Sequence, residues 1–338
     1  MSMRIDERGF CDFYREEGER IVCTLCRHYC KLKDGQTGIC GVNANEGGRL
    51  RNLVYGKVSA LNIDPVEKKP LYHFLPASSA LSIGTVGCNF RCPFCQNWQI
   101  SQSREIEGSH DISPQELVSL ALERGCESIA YTYNEPTIFY PFAKDVAILA
   151  REHGIKNIFV SNGMESPEVI EDMKGVIDAF NIDLKSFDEE YYKKVLKGSL
   201  EGVLDTLKRL KDGGFWLEVT TLIVPGDNDS DEELHKIAAF IAEELDPFTP
   251  WHISAFHPDY KVNDKLPTPI ETLNRAREIG RSHSLAYIYM GNVPGDSTTH
   301  CPACGLKLIE RRGYMVVRNR ISRGHCPACD RAIEGVWS

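Results

Sequence analysis

No stretch of this 338-residue chain approaches the 18 consecutive apolar residues of a membrane-spanning helix, so a transmembrane protein is excluded. Excess positive charge is lacking too. The formal net charge is -9, which argues against general nucleic-acid binding and against anionic membranes. The opening residues Met1 to Arg8 have no apolar core and do not read as a secretory signal, so a cytoplasmic location is expected. Low-complexity segments are absent. With 42% hydrophobic and 26% charged residues the composition is globular rather than disordered or fibrous. The length suits one large domain or about two ordinary ones.

Cysteine, in contrast, is abundant: the chain has thirteen. A chain without a secretory signal stays among reduced thiols, where clustered cysteines point to metal rather than disulfides. Eleven fall into three groups: Cys23, Cys26, Cys30 and Cys40; Cys88, Cys92 and Cys95; Cys301, Cys304, Cys326 and Cys329. Cys11 and Cys126 stand alone and read as ordinary residues, with Cys126 expected to be buried at a strand start.

Residues 1–78 are rich in turns and form a cysteine-rich N-terminal module that closes on the basic stretch Glu67-Lys68-Lys69-Pro70. Over 79–292 short β-rich runs alternate with amphipathic helical stretches. The runs are Leu81–Val86, Ser128–Tyr133, Asn157–Val160, Ala179–Leu184, Leu217–Val224, His252–Phe256 and Tyr287–Met290; helices are expected at Pro114–Arg124, Phe139–His153, Leu200–Leu210, Asp231–Glu244 and Glu271–Arg281. Such alternation implies parallel βαβ units. About seven of them in roughly 210 residues fit an α/β fold, a complete or partial TIM-like (β/α) barrel, better than an open doubly wound sheet. The tail, 293–338, carries the last cysteine group.

Gly87-Cys88-Asn89-Phe90-Arg91-Cys92-Pro93-Phe94-Cys95 directly follows the first run. Three thiolates this close can hold three corners of a 4Fe-4S cube, leaving the fourth iron open to a small molecule. Structural zinc is the alternative, but it takes four ligands and this loop offers three.

This C-x3-C-x2-C motif after the first strand of a βα barrel, with an aromatic before the last cysteine, resembles radical S-adenosylmethionine (SAM) enzymes. The chain is similar to the branch that includes pyruvate formate-lyase activating enzyme. Through Glu67–Pro76, Gly291-Asn292-Val293 and both outer cysteine groups it most resembles the radical SAM member of the AmmeMemoRadiSam system. The resemblance implies that the open iron chelates SAM. One electron then splits the sulfonium bond, giving methionine and a 5′-deoxyadenosyl radical that abstracts hydrogen. It also implies a flavodoxin- or ferredoxin-type electron donor and, as one option, a glycyl residue of a partner protein as substrate.

Ligands of a βα barrel sit at the C-terminal strand ends. After the second run, Asn134-Glu135-Pro136 stands where many relatives carry Gly-Gly-Glu-Pro, and the resemblance gives Glu135 the SAM amino group. Ser161-Asn162-Gly163 resembles the family's Thr-Asn-Gly and is suited to polar contacts. Asp183-Leu184-Lys185 matches its Asp-Leu-Lys, with Lys185 for the SAM carboxylate and Asp183 fixing it. His257 matches a histidine near the adenosine. Glu218, Thr220 and Asn292 face the same mouth if the strand register holds.

Cys301-Pro302-Ala303-Cys304 and Cys326-Pro327-Ala328-Cys329 are two C-x2-C knuckles, the pattern of a zinc ribbon, with rubredoxin-type iron as rival. The N-terminal C-x2-C-x3-C-x9-C set offers four thiolates, which favours zinc, with a second iron–sulfur cluster as the alternative and His28 as a fifth candidate ligand. The leading function is therefore a radical SAM enzyme, and the competitor is a metal-stabilised binding protein without catalysis.

Overall fold

The computed structural model describes residues 9–295 and 297–338; the stretch read as lacking a secretory signal lies outside them. The parallel strands are β1 (Ser79–Gly84), β2 (Ser128–Tyr131), β3 (Lys156–Ser161), β4 (Ala179–Asp183), β5 (Trp216–Ile223), β6 (Trp251–Ala255) and β7 (Ile288–Gly291). Each pairs in parallel with the next in chain order. Ala60–Pro65, inside the segment read as the N-terminal module, pairs antiparallel with β1 and extends the sheet by one strand. It and β7 are the two outer strands and do not pair with each other, so the barrel is partial.

The outer layer consists of α1 (Pro114–Glu123), α2 (Tyr140–Glu152), α3 (Pro167–Met173), α4 (Leu200–Asp212), α5 (Asp231–Phe240) and α6 (Ile270–Ser282). Helices covering a parallel sheet bury its outer face, which is why its strands read as short apolar runs. Local chemistry sets the helix ends. Ser113 and Glu116 form a reciprocal capping box at the start of α1. Gly154 takes φ +74° just after α2, a conformation glycine adopts without strain. The pattern expected to run as helix to Glu244 leaves α geometry after Phe240 and continues as a π-turn over Ile241–Leu245. Helix α3 was not anticipated.

Two small antiparallel sheets precede the barrel. One joins Tyr14–Glu17, Arg20–Cys23 and Lys31–Leu32; the other joins Phe10–Cys11, Arg49–Asn52 and Asn43–Glu46. Their apolar residues, Ile21, Val42, Leu50 and Val54 among them, belong to the same buried cluster as the barrel. The module thus shares a core instead of relying on metal alone. The tail is different. Thr299–His300, Lys307–Arg312 and Met315–Asn319 form a ribbon with its own small core of Cys301, Leu308, Ile309, Cys326 and Ile333.

Residues 66–78 join the antiparallel edge strand to β1 and dock the ribbon. Arg311 is fully buried beside Glu67 at 3.7 Å and donates to the Tyr72 carbonyl at 2.6 Å. The Val336 backbone bonds to His73 and Leu75. Glu218 accepts from the backbone N–H groups of Tyr72 and His73 and meets His252 Nε2 at 2.6 Å. Burial pushes the His73 imidazole down to about 4. Glu218 therefore anchors this linker and does not reach the mouth, correcting the reading that grouped it with Thr220 and Asn292.

Candidate active site

A cavity of about 450 Å³ opens at the C-terminal ends of the strands, where a βα barrel binds its ligands. Cys88, Cys92 and Cys95 line it, as do Asn134, Glu135, Ser161, Asn162, Asp183 and Lys185. Nine of the ten site residues expected at this end thus share one space. The tenth, His257, does not. Phe256 turns into the core, 1% exposed, with its N–H donating to Thr268 Oγ1. The next residue is consequently solvent-facing, and the near neighbour of its ring is the Pro258 carbonyl at 3.4 Å. Thr220 and Asn292 line the cavity as read; Ser254 lines it from β6.

The cysteine loop is held from outside. Asn134 accepts from Thr85 N–H at 3.0 Å and donates to the Gly87 carbonyl at 2.8 Å and to Thr85 Oγ1 at 3.0 Å. Asn134 thus pins the start of the loop. Asn162 Nδ2 donates to Asn89 Oδ1 at 2.7 Å, tying the end of β3 to the same loop. Ser101 Oγ lies 3.2 Å from Cys95 Sγ. Burial pushes the Cys88 and Cys92 thiols up to about 12, so as free thiols they stay protonated; a bound metal cluster removes those protons. Two buried thiols and the half-buried Cys95, all facing one cavity, form a donor set that fits a 4Fe-4S cluster with one corner left open.

The charged groups fit SAM. Glu135 accepts from Ser161 Oγ at 2.9 Å, from Asn162 N–H at 2.8 Å and from Thr137 N–H at 3.0 Å. Burial first, and then the neighbouring Glu165, push it up to about 7 despite those donors. Glu165 is fully buried with both oxygens unpartnered. A carboxyl that lines the cavity with a second buried carboxyl behind it favours an arriving cation. On the opposite side Lys185 Nζ donates to Asp183 Oδ2 at 2.7 Å. Burial alone pulls Lys185 down, but the Asp183 carboxylate and the Cys92 sulfur outweigh it and hold the ammonium above its ordinary range. A buried carboxyl and a buried ammonium thus line the same space.

Lys68, Lys69, Pro70 and Tyr314 complete the rim, and reading the sequence missed them as site residues. Lys69 is buried and paired with Asp64 at 2.6 Å. The Lys-Lys-Pro run was the available signal for the first three; nothing in the sequence marked Tyr314, which comes from the tip of the ribbon.

The outer groups differ from each other. The four sulfurs of Cys301, Cys304, Cys326 and Cys329 lie within 4.8 Å of one another, with Cys301–Cys329 at 3.6 Å and Cys304–Cys326 at 3.7 Å. Tetrahedral zinc with 2.3 Å bonds sets its sulfurs roughly 3.8 Å apart. His300 and His325 are exposed. No three of Cys23, Cys26, Cys30 and Cys40 converge so tightly among the described residues, so the compact single-ion geometry expected there for zinc is not present. His28 turns away from them, placing Nε2 3.1 Å from the Asn89 carbonyl.

A buried C-x3-C-x2-C loop at the end of the first parallel strand, facing a polar cavity, is the arrangement of a radical SAM enzyme. Residues 82–241 match the Radical SAM superfamily, and the chain belongs to it. It is 43% identical to an uncharacterised protein of Methanocaldococcus jannaschii, over 95% of this chain and 98% of that one. A second protein of that organism, named as a glycyl-radical enzyme activating enzyme, is 28% identical over 72% of this chain and 95% of its own length. Pyruvate formate-lyase-activating enzyme of Clostridium pasteurianum is 25% identical over 53% of this chain and 80% of its own. The fold is similar to that of Streptococcus suis SuiB bound to S-adenosylmethionine, with a TM-score of 0.51 over 67% of this chain and 53% of that one at 14% identity. The family sets aside the non-catalytic binding protein. Among the described residues no helix is long and apolar enough to cross a membrane.

Proposed function

We propose that this enzyme binds SAM against a cluster held by Cys88, Cys92 and Cys95 and uses it to abstract hydrogen from a substrate. The observation that supports this most is the shared cavity: three thiols, the Glu135 carboxyl and the Asp183–Lys185 pair line one space of about 450 Å³. A 4Fe-4S cluster there supplies one electron to the sulfonium of SAM, releasing methionine and a 5′-deoxyadenosyl radical. Lys185 meets the SAM carboxylate, and Asp183 keeps the ammonium aimed and charged. Glu135 accepts the SAM ammonium, with Ser161 and Asn162 fixing its oxygens. Asn134 holds the cysteine loop at the right height.

Two relatives named as activating enzymes support a glycyl residue of a partner protein as the hydrogen donor. The electron comes from a flavodoxin- or ferredoxin-type protein, and the four C-terminal cysteines hold one structural zinc. The test is anaerobic: reconstituted protein, dithionite and SAM, assayed for 5′-deoxyadenosine and methionine in equal amounts. Protein with a full, reducible cluster that binds SAM yet forms neither product, with or without candidate partners, overturns the reading.

A further inference from the structure

The N-terminal cysteines are not accounted for by that chemistry. Cys23, Cys26 and Cys40 are buried and Cys30 is half-buried. Cys23 N–H donates to the Cys30 carbonyl at 3.0 Å, and a Cβ on Gly38, two residues before Cys40, would stand 3.4 Å from Cys30 Sγ, so the chain folds these cysteines toward one another. Yet no three of the sulfurs come within 4.8 Å of one another, whereas the C-terminal four do. A single ion gathers its sulfurs tightly; a four-iron cube binds each thiolate to a different iron and spreads them. The central set, Cys88, Cys92 and Cys95, is spread in the same way.

Donors surround these sulfurs. Ile39 N–H points at Cys30 Sγ and Asn43 Nδ2 at Cys40 Sγ, both at 3.5 Å. The central loop adds Asn89 Nδ2, buried with no hydrogen-bond partner, and the Asn89 carbonyl lies 3.1 Å from Nε2 of His28, which stands between Cys26 and Cys30 in the chain. Hydrogen bonds to sulfur tune cluster potentials.

The set also abuts the central loop. A Cβ on Gly87, whose φ is +90°, would stand 2.8 Å from the Cys40 carbonyl oxygen. Cys88 is the next residue, its Cα about 3.8 Å further along the chain. Arg91 and Arg104 both donate to the Ile39 carbonyl, at 2.6 and 3.2 Å, and Arg91 donates also to the Cys88 carbonyl at 2.8 Å. Ile39, next to Cys40, is 40% exposed, so this site lies near the surface.

We infer that Cys23, Cys26, Cys30 and Cys40 hold a second 4Fe-4S cluster that takes one electron from a low-potential carrier at the surface and passes it to the cluster of the central loop. The transfer reduces the outer cluster by one electron and reoxidises it as the inner one is reduced; no bond or proton changes place. The inference rests on the proposed function for its electron acceptor but not for its metal site.

The test is a metal and sulfide count on the whole chain after anaerobic reconstitution. Two cubes give about eight acid-labile sulfides per chain. Cys26→Ala with Cys40→Ala should leave about four, and Cys88→Ala, Cys92→Ala with Cys95→Ala should also leave about four. Magnetic resonance of the dithionite-reduced wild type should show two interacting spins, and each variant one isolated signal. About four sulfides with two zincs in the wild-type protein overturns the inference, and so does a full sulfide count in the N-terminal variant. The wild-type count needs no variant to fold. A central variant that keeps about four sulfides sustains this site even if SAM cleavage is never observed.

Discussion

The central loop and the C-terminal ribbon both present cysteines at short spacing, yet they are built in opposite ways. The ribbon closes on itself: its sulfurs already sit 3.6 and 3.7 Å apart in pairs, and its knuckles are linked by their own hairpin. The loop has three sulfurs that do not converge, and its shape comes from residues far away in sequence, Asn134 and Asn162 above all. A site made for stability uses local chain and leaves no open coordination. A site made for chemistry leaves a corner open and relies on the fold to hold it. Cysteine spacing alone therefore does not tell the two apart; ligand number and surroundings do.

Replacing Cys88, Cys92 and Cys95 together by Ala should have the largest effect on activity. It should abolish 5′-deoxyadenosine formation and remove about four irons per chain, leaving the ribbon metal in place. Iron analysis and the cluster absorbance check this. Survival of SAM cleavage would put the cluster elsewhere. The converse variant, Cys301→Ser with Cys304→Ser, should cost one metal ion and the ribbon's order. Metal closure contributes on the order of 10 kcal/mol in small zinc modules. Hydrogen exchange should rise across 299–333 while the barrel keeps its protection and its cluster. Parallel loss of central iron would show that the two regions are not independent.

The barrel was legible because the parallel strands other than β7 are mostly buried on both faces and read as apolar runs between turn residues. All seven expected runs overlap a strand, with ends displaced by no more than two residues, the largest shifts falling at β1 and β2. Ala60–Pro65 escaped that reading because it is an edge strand: Leu61 and Ile63 are 39% and 46% exposed, so no buried run marks it. The cysteines declared themselves by spacing. The work of Asn134 did not, because its partner Thr85 is 49 residues away and only the parallel pairing of β1 with β2 brings them together. Similarly, the zinc reading of the N-terminal set followed from ligand number, while the distances that oppose it belong to the folded chain.

Within the cavity, Lys185→Ala sharpens the comparison by separating ligand binding from cluster binding. The ammonium is buried, aimed by Asp183 at 2.7 Å, and would make a charge-assisted contact to the SAM carboxylate. Such a contact is worth about 1.5–3 kcal/mol, so its loss should raise the SAM requirement roughly ten- to a hundredfold. Iron content should not change, since Lys185 holds no loop residue. A titration of SAM against the reduced protein reads the effect. Loss of iron in this variant would mean that the lysine stabilises the cluster sulfurs, Cys92 first, rather than the ligand.

The smallest expected effect is that of His257→Ala, and it tests whether the cavity has its final shape. The resemblance places a histidine here beside the adenosine, whereas in the structure the ring is exposed and its near neighbour is a carbonyl at 3.4 Å. Phe256 occupies the inward position, locked by the Thr268 hydroxyl at 2.8 Å. An exposed side chain without a firm partner contributes within about 0.5 kcal/mol, so both stability and the SAM requirement should stay within about twofold of the parent. A tenfold or larger rise in the SAM requirement, with iron content and melting temperature unchanged, would mean something specific. The chain after β6 would then have to fold inward over bound SAM, exchanging the outward turn at His257 for a contact with the ligand.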